Sequence, residues 1–535
     1  MSFTRTRKAL VTVASVALAA SLVACASKGG SSSEDAAAKP ETNTIGAPLT
    51  AGVAYDTTNF HPSNTTSALA MGTNLHVVEG FWELDYTNNA SAVPALAAGD
   101  PVEVGENTYE ITLRDGAKFS DGTPVTAADV ESSYKRIVDP EAGSLYAGFL
   151  TFIKSIEAKD DMTVTVTLSS PFGQLKERLA LIKIVPSAAT DEELTAKPIG
   201  SGPYKYESVD GAAEVTAVPN EHYNGPRPAT SEKLTWLVQK DDTARTTAAS
   251  DGTIDVIENV PAGNREVLEA AGLKVDSTPG FGVAFMMFNT AKAPFDNAKV
   301  RQAFHYAIDT QKLIDNNLGG EATEASSFLN EGHPNYKRAS HVYTHDTAKA
   351  KELLASAGVS GLTVNILTTD HPWVAELAPQ IKNDLAAAGI EATIESMATA
   401  DLYPNRAAGN AAEGNVPNFD VIVAPGDPSV FGTDPALLFG WWLGDNAWTQ
   451  ERSNWKNSDP EKFAEFQELL NAGASATDAA DAQKKWEAVQ DFASEEVAIY
   501  PLFHRSILTG YSADVSGFKA IGTTGLTLLG AHKAE

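Results

Sequence analysis

The most informative pattern of apolar and polar positions lies near the middle of the chain, over residues 282–309. It begins with six consecutive apolar residues, 283–288, and a run of this length predicts a strand that is buried on both faces. A polar break with Pro294 follows, after which Asp296 is placed to cap a helix. The helix has one apolar face at helical spacing, formed by Val300, Ala303, Phe304, Ala307 and Ile308. A buried strand followed by an amphipathic helix predicts the beginning of a second α/β lobe.

After this stretch, the predicted helices and strands alternate. Helices that begin at Asp346 and Trp373 are separated by short apolar strands, and Pro379 is expected to kink the second of these helices. Such alternation favours helices packed on a largely parallel sheet. A second continuous apolar run, 497–503, predicts a strand that pairs with the run at 283–288. The two strands would then be two crossings between the lobes.

Before residue 282 the pattern consists of shorter units. Alternating strands at 109–113 and 162–168 flank a helix that Thr126 and Asp129 would begin with a capping-box arrangement. This combination predicts a small α+β sub-lobe. We place this sub-lobe at residues 76–190.

The N-terminus has the pattern of a processing signal. A basic head precedes an apolar run at 10–24 that is too short for a comfortable membrane span. The run ends in LVAC, which resembles the bacterial lipobox, and Cys25 is the only cysteine in the chain. We predict a signal peptide at 1–24, a lipid on Cys25 and a flexible tether over 25–45, so that the body is extracytoplasmic and anchored to the cell membrane. A soluble secreted protein with a chance cysteine is the alternative.

Composition and charge exclude one large class of partners. With 535 residues the chain can bury large cores and favours two or more domains. Its formal net charge of −29 argues against a nucleic acid partner, because nucleic-acid-binding proteins present basic surfaces. The same charge repels anionic lipid headgroups, which leaves the predicted lipid on Cys25 as the membrane anchor. The acidic surface is interpreted as serving solubility, and we expect a monomer.

Several blocks of sequence occur in a recognisable order. They are YEITLRDGAKFSDGTPVTAADV at 109–130, PIGSGPY at 198–204, Phe288-Asn289-Thr290 followed by Val300-Arg301-Gln302-Ala303, and DTAKAKELLASAG at 346–358. Together they resemble the solute-binding proteins of the peptide and nickel uptake class of ATP-binding-cassette (ABC) importers. The blocks are specific for this family and carry little information about the ligand.

The resemblance implies an α/β protein with a two-lobed, periplasmic-binding-protein-like fold of type II (cluster C) and an extra α+β sub-lobe in the first lobe. It divides the folded chain into lobe I (46–75, 191–282 and 498–535), a sub-lobe inserted in lobe I (76–190) and lobe II (283–497), with the two crossing strands as the hinge. In such proteins the lobes close over a ligand and present it to a membrane permease, so the implied partners are a small molecule and the permease subunits of an ABC importer. The expected ligand is a di- or oligopeptide. A nickel chelate, a glycoside or an opine is the alternative within the same fold. A surface hydrolase or an adhesion lipoprotein is the alternative of another class.

The resemblance also points to a carboxylate that would bind the ligand. Peptide-binding members hold the ligand's amino group with a carboxylate in a W-x-x-D region. The matching stretch, 423–428, contains Asp427 but has Ala424 at the position nearest to the usual tryptophan. Asp427 is therefore the candidate partner of an ammonium group, with Asp434 as a second candidate. A carboxylate in a Gly/Pro turn can also be a simple turn residue.

Aromatic and amide residues supply further candidates. The residues proposed to line the cleft are Trp441, Trp442, Trp448, Tyr55, Asn59 and Phe60. The tryptophans crowd a Gly-rich stretch that we interpret as a loop, where they would line the cleft or pack in a core. The other three follow the first predicted strand, where the family places pocket residues, and a structural role is equally open. Arg301 is expected to be structural, near the hinge helix, although arginine suits a carboxylate-bearing ligand.

Motifs for catalysis and metal binding are absent from the sequence. Ser201 lies in Gly-Ser-Gly, but G-x-S-x-G, H-E-x-x-H and the P-loop do not occur. His333, His341 and His345 invite a metal site because the last two are four residues apart. Their segment is rich in turn formers and has no cysteine or carboxylate at ligand spacing, so we interpret them as solvated loop histidines. We predict a binding protein without catalytic residues, cofactor or metal.

Overall fold

The structure is a computed structural model that describes residues 45–409 and 413–534. The predicted signal peptide, Cys25 and the predicted tether up to residue 44 lie outside the described residues. In chain order the strands are β1 (Leu49–Val53), β2 (Trp82–Asp85), β3 (Ser91–Pro94), β4 (Val102–Gly105), β5 (Thr108–Thr112), β6 (Ile153–Ala158), β7 (Thr163–Leu168), β8 (Tyr204–Asp210), β9 (Glu214–Pro219), β10 (Leu234–Val238), β11 (Val256–Ile257), β12 (Lys274–Phe288), β13 (Ala322–Glu324), β14 (Leu362–Thr369), β15 (Ile390–Met397), β16 (Val421–Gly426), β17 (Ile499–Tyr511), β18 (Val515–Ser516) and β19 (His532–Lys533). The α-helices are α1 (Ala68–Val77), α2 (Ala127–Val138), α3 (Leu175–Leu179), α4 (Asp191–Ala196), α5 (Asp242–Ser250), α6 (Arg265–Ala270), α7 (Ala298–Ala307), α8 (Thr310–Asn317), α9 (Thr347–Ser356), α10 (Pro372–Ala375), α11 (Ala378–Ala387), α12 (Thr399–Leu402), α13 (Pro435–Leu443), α14 (Trp455–Ser458), α15 (Pro460–Ser475) and α16 (Ala479–Glu496).

Within the described residues, the largest sheet has eleven strands and joins both lobes. Its order is β15-β14-β16-β12-β17-β11-β1-β10-β9-β8, and β13 pairs with β17 beside this path. β1 is parallel to β10 and β11, and β14 is parallel to β15 and β16. β12 and β17 are antiparallel to each other and to their outer neighbours. We call the part with β1 and β8–β11 lobe I and the part with β14–β16 lobe II; the residue boundaries given above stay a prediction.

The pairing of the two crossing strands agrees with the sequence pattern. Val283 faces His504 and Met287 faces Ile499 in the ladder between β12 and β17. Residues 283–288 are all buried, as a strand covered on both faces requires. Both strands are longer than the apolar runs that predicted them. Their register shifts between Pro279 and Val283, where residues 280–282 of β12 bulge away from β17.

The helix after β12 forms as expected except at its first residue. Its predicted apolar residues are all fully buried. The N-cap, however, is Asn297, whose side chain accepts a hydrogen bond from the amide of Lys299, so the prediction of Asp296 was wrong. The helix begins one residue later than predicted, and the orphan amide hydrogens therefore lie within reach of Asn297. Arg301 is structural, since it donates to the carbonyl of Glu496 and pairs with its carboxylate at 3.1 Å.

The predicted kinked helix over 373–388 is instead two helices. α10 ends at Ala375 and α11 begins at Ala378, which places Pro379 in the first turn of α11. A proline there costs no hydrogen bond, because the amide groups of the first turn have no partner within the helix. The break between α10 and α11 removes the steric conflict that Pro379 would have with a preceding helical turn.

The sub-lobe contains β2–β7 together with α2 and α3. Its main sheet has the order β4-β5-β7-β6, and α2 packs on it with Val130 and Ile137 fully buried. Thr126 and Asp129 form the predicted capping box. One continuous apolar core contains residues of both the sub-lobe and lobe II, so the two are in close contact. No helix among the described residues is long and apolar enough to cross a membrane.

Candidate ligand-binding cleft

A cavity of about 680 Å³ lies between the two lobes. Lobe I contributes Tyr55, Lys240 and Asn259, which follow β1, β10 and β11, and lobe II contributes His371, which follows β14. These residues stand at the carboxyl ends of parallel strands. In open α/β sheets that edge is where ligands bind, because the loops there are free to carry recognition groups.

Arg505 of β17 is a positively charged residue on the wall of this cavity. It lies opposite the bulge of β12, and its guanidinium carbon is 4.5 Å from the centre of the Trp373 ring. No atom of the described residues accepts a hydrogen bond from the guanidinium group. Burial lowers the pKa of Arg505, and the nearby Tyr55 and Asp427 oppose that shift. Both Arg505 and Trp373 line the cavity.

Tyr55 lies near charged groups of both signs. Burial raises the pKa of its phenol, and the carboxylate of Glu258 adds to this shift, while Arg505 opposes it. The sequence predicted Tyr55 as a pocket residue, and the structure places it on the cavity wall. Its contact with a ligand stays a prediction.

Asp427 is held by hydrogen bonds within the protein. Its Oδ1 accepts from the amide of Ser429 at 3.1 Å and the hydroxyl of Ser429 at 2.5 Å, and its Oδ2 accepts from the amide of Thr524 at 3.1 Å and the hydroxyl of Thr524 at 2.8 Å. A carboxylate has about four acceptor positions, and here all are used. The side chain therefore joins the end of β16 to the C-terminal segment. Its predicted role as the partner of an ammonium group remains untested.

Asp434 is part of a buried ion pair between the sub-lobe and lobe II. Its Oδ1 caps α13 through the amide of Leu437 and lies 2.7 Å from a guanidinium nitrogen of Arg178. The side chains of Arg178 and Asp434 are only 6% and 3% exposed. Asp434 borders a separate polar cavity of about 350 Å³ and does not line the 680 Å³ cavity.

The predicted loop around the three tryptophans was wrong, because Trp441 and Trp442 lie in α13. Trp442 is buried, with its ring centre 4.6 Å from that of Phe285 and 4.6 Å from that of Trp448. Trp441 is half-buried and stacks on Phe149 of the sub-lobe at 6.0 Å. The three indoles therefore pack lobe II and its contact with the sub-lobe, and none of them lines the 680 Å³ cavity.

Asn59 and Phe60 also have partners within the protein. The amide group of Asn59 donates to the carbonyl of Asn64, and its Oδ1 accepts from the amide of His61. Phe60 is 2% exposed and meets Tyr206 edge to face in the core of lobe I. Neither residue lines the 680 Å³ cavity.

The interpretation of His333 as a solvated loop residue was wrong. Its ring is buried, Nε2 lies 2.7 Å from the carbonyl oxygen of Thr433, and burial lowers its pKa. His341 and His345 lie nearer the surface, beside acidic groups. Within residues 45–409 and 413–534, no group of three or more His, Cys, Asp or Glu is placed to hold a metal ion.

Comparison with known proteins assigns the chain to a family. Residues 91–460 match the model of the bacterial extracellular solute-binding proteins, family 5. The probable D,D-dipeptide-binding periplasmic protein DdpA of Escherichia coli K12 is 26% identical over 437 residues, which cover 79% of this chain and 81% of DdpA. The ABC transporter substrate-binding protein CtaP of Listeria monocytogenes has a TM-score of 0.77 at 23% identity, covering 92% of this chain and 100% of CtaP.

A second solved structure, DppA of Helicobacter pylori in complex with the peptide STSA, has a TM-score of 0.76 at 22% identity and covers 92% of this chain and 99% of DppA. These structures share the two-lobed mixed α/β fold, which confirms the predicted fold class. The relatives are solute-binding proteins of ABC transporters and not enzymes. The chain therefore belongs to the family 5 extracellular solute-binding proteins, which are extracytoplasmic receptors of ABC importers.

Proposed function

We propose that this protein captures a di- or oligopeptide in the cleft between its lobes and delivers it to the permease of an ABC importer. It acts as a monomer, anchored to the cell membrane by a lipid on Cys25. The observation that carries the proposal is the 680 Å³ cavity, whose walls come from both lobes and contain charges of both signs. Arg505 and Lys240 supply positive charge, and Asp242, Asp315 and Glu376 supply negative charge. A peptide carries both charges and a polar backbone, so it matches such a cleft.

The names of several relatives support a peptide, whereas two other solved relatives hold a nickel–histidine complex (NikA of Staphylococcus aureus) or agropinic acid (AgaA). DdpA is named for a D,D-dipeptide, and the Helicobacter DppA structure contains a tetrapeptide. A ligand that contacts both lobes stabilises the closed form, because only that form provides both sets of contacts. The permease would then meet a closed, loaded receptor.

Native mass spectrometry of the purified protein tests the ligand class. We expect a bound peptide to co-purify, and a di- to hexapeptide library to change the tryptophan fluorescence without any turnover. If no peptide binds but a nickel chelate, a glycoside or an opine does, the peptide assignment is contradicted. Hydrolysis of the library would contradict a receptor role.

Asp427 is proposed to bind the ligand's amino group in exchange for its bonds to Thr524. Replacement of Asp427 by Asn should weaken binding of free-amine peptides much more than binding of the same peptides after N-acetylation. Equal losses for both forms would reject this role and leave Asp427 as an internal contact between β16 and the C-terminal segment.

The lipid on Cys25 is tested by Cys25→Ser. We expect the wild-type protein to fractionate with membranes and to gain the mass of a diacylglyceryl group, and the variant to appear unmodified and free of the membrane. A variant that still fractionates with membranes would contradict lipid anchoring through Cys25.

A further inference from the structure

A second cavity lies outside the cleft, between the sub-lobe and lobe II. Its volume is about 350 Å³, which falls within the range of about 300–1,000 Å³ that small-molecule sites occupy. It shares no lining residue with the 680 Å³ cavity. The sub-lobe contributes the turn between β2 and β3 and the beginning of α3, and lobe II contributes residues 333–335 and 432–435. The cavity is therefore formed by two parts of the molecule that are distant in sequence.

The wall of this second cavity contains a carboxylate oxygen that the protein does not use. The side chain of Asp434 is 3% exposed, and its Oδ1 accepts from both the amide of Leu437 and the guanidinium group of Arg178. Oδ2 accepts no hydrogen bond from any residue that the structure describes, and it keeps some accessible surface. A largely buried carboxylate is costly unless its oxygens are hydrogen-bonded, so Oδ2 is available to a donor that enters the cavity.

The charged groups around the cavity leave one negative charge without compensation. The charge of Asp434 is balanced by Arg178. Glu177 is half-buried and forms no hydrogen bond or ion pair within the described part of the chain, and no lysine or arginine lines the cavity. His333, whose pKa burial lowers, adds no charge at neutral pH. The other polar side chains include four amides, those of Asn88, Asn89, Gln174 and Asn335. Such a lining repels anions and attracts a cation.

We propose that the 350 Å³ cavity is a second binding site and takes a small primary ammonium compound that carries one or two further hydroxyl or amide groups. The ammonium group binds Oδ2 of Asp434, and the charge of Glu177 favours the cation. An ammonium group has three N–H donors, and its hydrogen bonds to a carboxylate are charge-assisted. The side-chain amides bind the polar remainder. This site goes beyond the proposed function, because its occupant is not the peptide that is carried to the permease.

The position of the cavity gives its occupant an effect on the whole protein. Because the walls come from the sub-lobe and from lobe II, a bound molecule contacts both and stabilises the arrangement in which they touch. A compound that binds the folded but not the unfolded chain also raises the unfolding free energy by mass action. The site therefore acts as an effector site that is separate from the site for the cargo.

Calorimetry and thermal unfolding with ethanolamine test the site, and ethylene glycol is the neutral counterpart of the same size. We expect one ethanolamine to bind per wild-type chain and to raise the melting temperature, and ethylene glycol to do neither at the same concentration. Glu177→Gln removes the uncompensated charge and keeps the shape of the side chain. It should weaken ethanolamine binding about 10-fold, as the loss of an interaction with a charged group does. Glu177→Lys reverses the charge and should abolish binding.

Glu266→Gln is the matched control. Glu266 is an exposed carboxylate of α6 that does not line the cavity, so this variant should bind ethanolamine like the wild-type protein. If the wild-type protein binds no ethanolamine, or binds ethylene glycol equally well, the ammonium site is overturned. If binding is lost in Asp427→Asn and unchanged in Glu177→Gln, the amine occupies the ligand cleft. That result would overturn the second site and leave the proposed function standing.

Discussion

Glu258 is a buried carboxyl group at the carboxyl end of β11, with 2% of its surface exposed. Burial raises its pKa to about 7, although the amide of Gly525, 2.8 Å from Oε1, and the charge of Arg245 oppose the shift. A carboxyl group with a raised pKa holds its proton more tightly in the folded than in the unfolded state. It therefore contributes stability that is fully present below its ordinary pKa of 4.5 and is lost as the pH rises through about 7.

We expect Glu258→Gln to remove this dependence, because the amide oxygen can still accept from Gly525 and no proton is exchanged. Relative to the variant, the wild-type protein should lose about 3 kcal/mol of unfolding free energy between about pH 4.5 and 8. Chemical denaturation of both proteins across this range measures the difference. His76, whose pKa burial lowers to about 4, titrates in both proteins and cancels. A difference that stays constant with pH would mean that Glu258 titrates at its ordinary value.

Single residues were predictable where their role depends on near neighbours. The capping box of Thr126 and Asp129 is an example, since both partners lie within one turn. Asp427 was singled out from its turn, but its partner Thr524 is 97 residues away in the chain, and no local pattern connects the two. Arg505 directly follows the apolar run and His504. The sequence gives a single sign of its role, which is that a charged residue interrupts an otherwise mostly apolar strand. That Arg505 contacts Trp373 is visible only in the fold.

At the scale of an element, the bulge of β12 is one of two register shifts in the ladder between β12 and β17. A Cβ atom on Gly280 would lie 2.6 Å from the carbonyl oxygen of Gly522 and 2.7 Å from that of Arg505. Both are backbone atoms and cannot move without shifting β17 or the C-terminal segment. We expect Gly280→Ala to lower the unfolding free energy by about 1–3 kcal/mol, as overpacking does. Thermal and denaturant unfolding measure the change.

Gly282 offers the matched control on the same strand. A Cβ atom there meets only Asp427, at 3.9 Å, which is an ordinary contact. Gly282→Ala should therefore leave the unfolding free energy within about 0.5 kcal/mol of the wild-type value. If both variants unfold alike, close packing at the bulge is not what sets the requirement for glycine at 280.

Elements were predictable where one face is apolar and the other polar. α7 shows this, since its buried residues recur at helical spacing. α13 shows the opposite case, because its sequence PALLFGWWL is apolar on nearly every side and has no period to detect. Its start signals were nevertheless present: Asp434 is the N-cap and Pro435 occupies the first turn. A helix enclosed on all sides is better recognised by its caps than by its pattern.

At the scale of the whole molecule, the sub-lobe and lobe II are held together by contacts that no local pattern reveals. Arg178 and Asp434 are 256 residues apart in sequence and form a buried pair. Around the pair, Phe149 of the sub-lobe meets Phe431 and Trp441 of lobe II. We expect opening of the cleft to move the sub-lobe away from lobe II, which would hydrate the two charges and the aromatic rings, so that the closed form depends on keeping the pair intact.

Removing either partner of this pair should favour the open form. In Arg178→Met or Asp434→Asn, closure leaves the remaining group buried without its partner, which costs about 3 kcal/mol or more, whereas in the open form that group is hydrated. We expect a larger radius of gyration in small-angle X-ray scattering and about 100-fold weaker binding of the tightest wild-type peptide.

Arg301→Met separates closure from general stability. Arg301 and Glu496 also form an enclosed pair, but both lie in the predicted lobe II. This variant should lower the unfolding free energy while leaving the radius of gyration and the peptide affinity of the folded protein unchanged. If Arg178→Met instead scatters and binds like the wild-type protein, then the aromatic contacts alone keep the lobes closed, because the ion pair gains no more from closure than its desolvation costs.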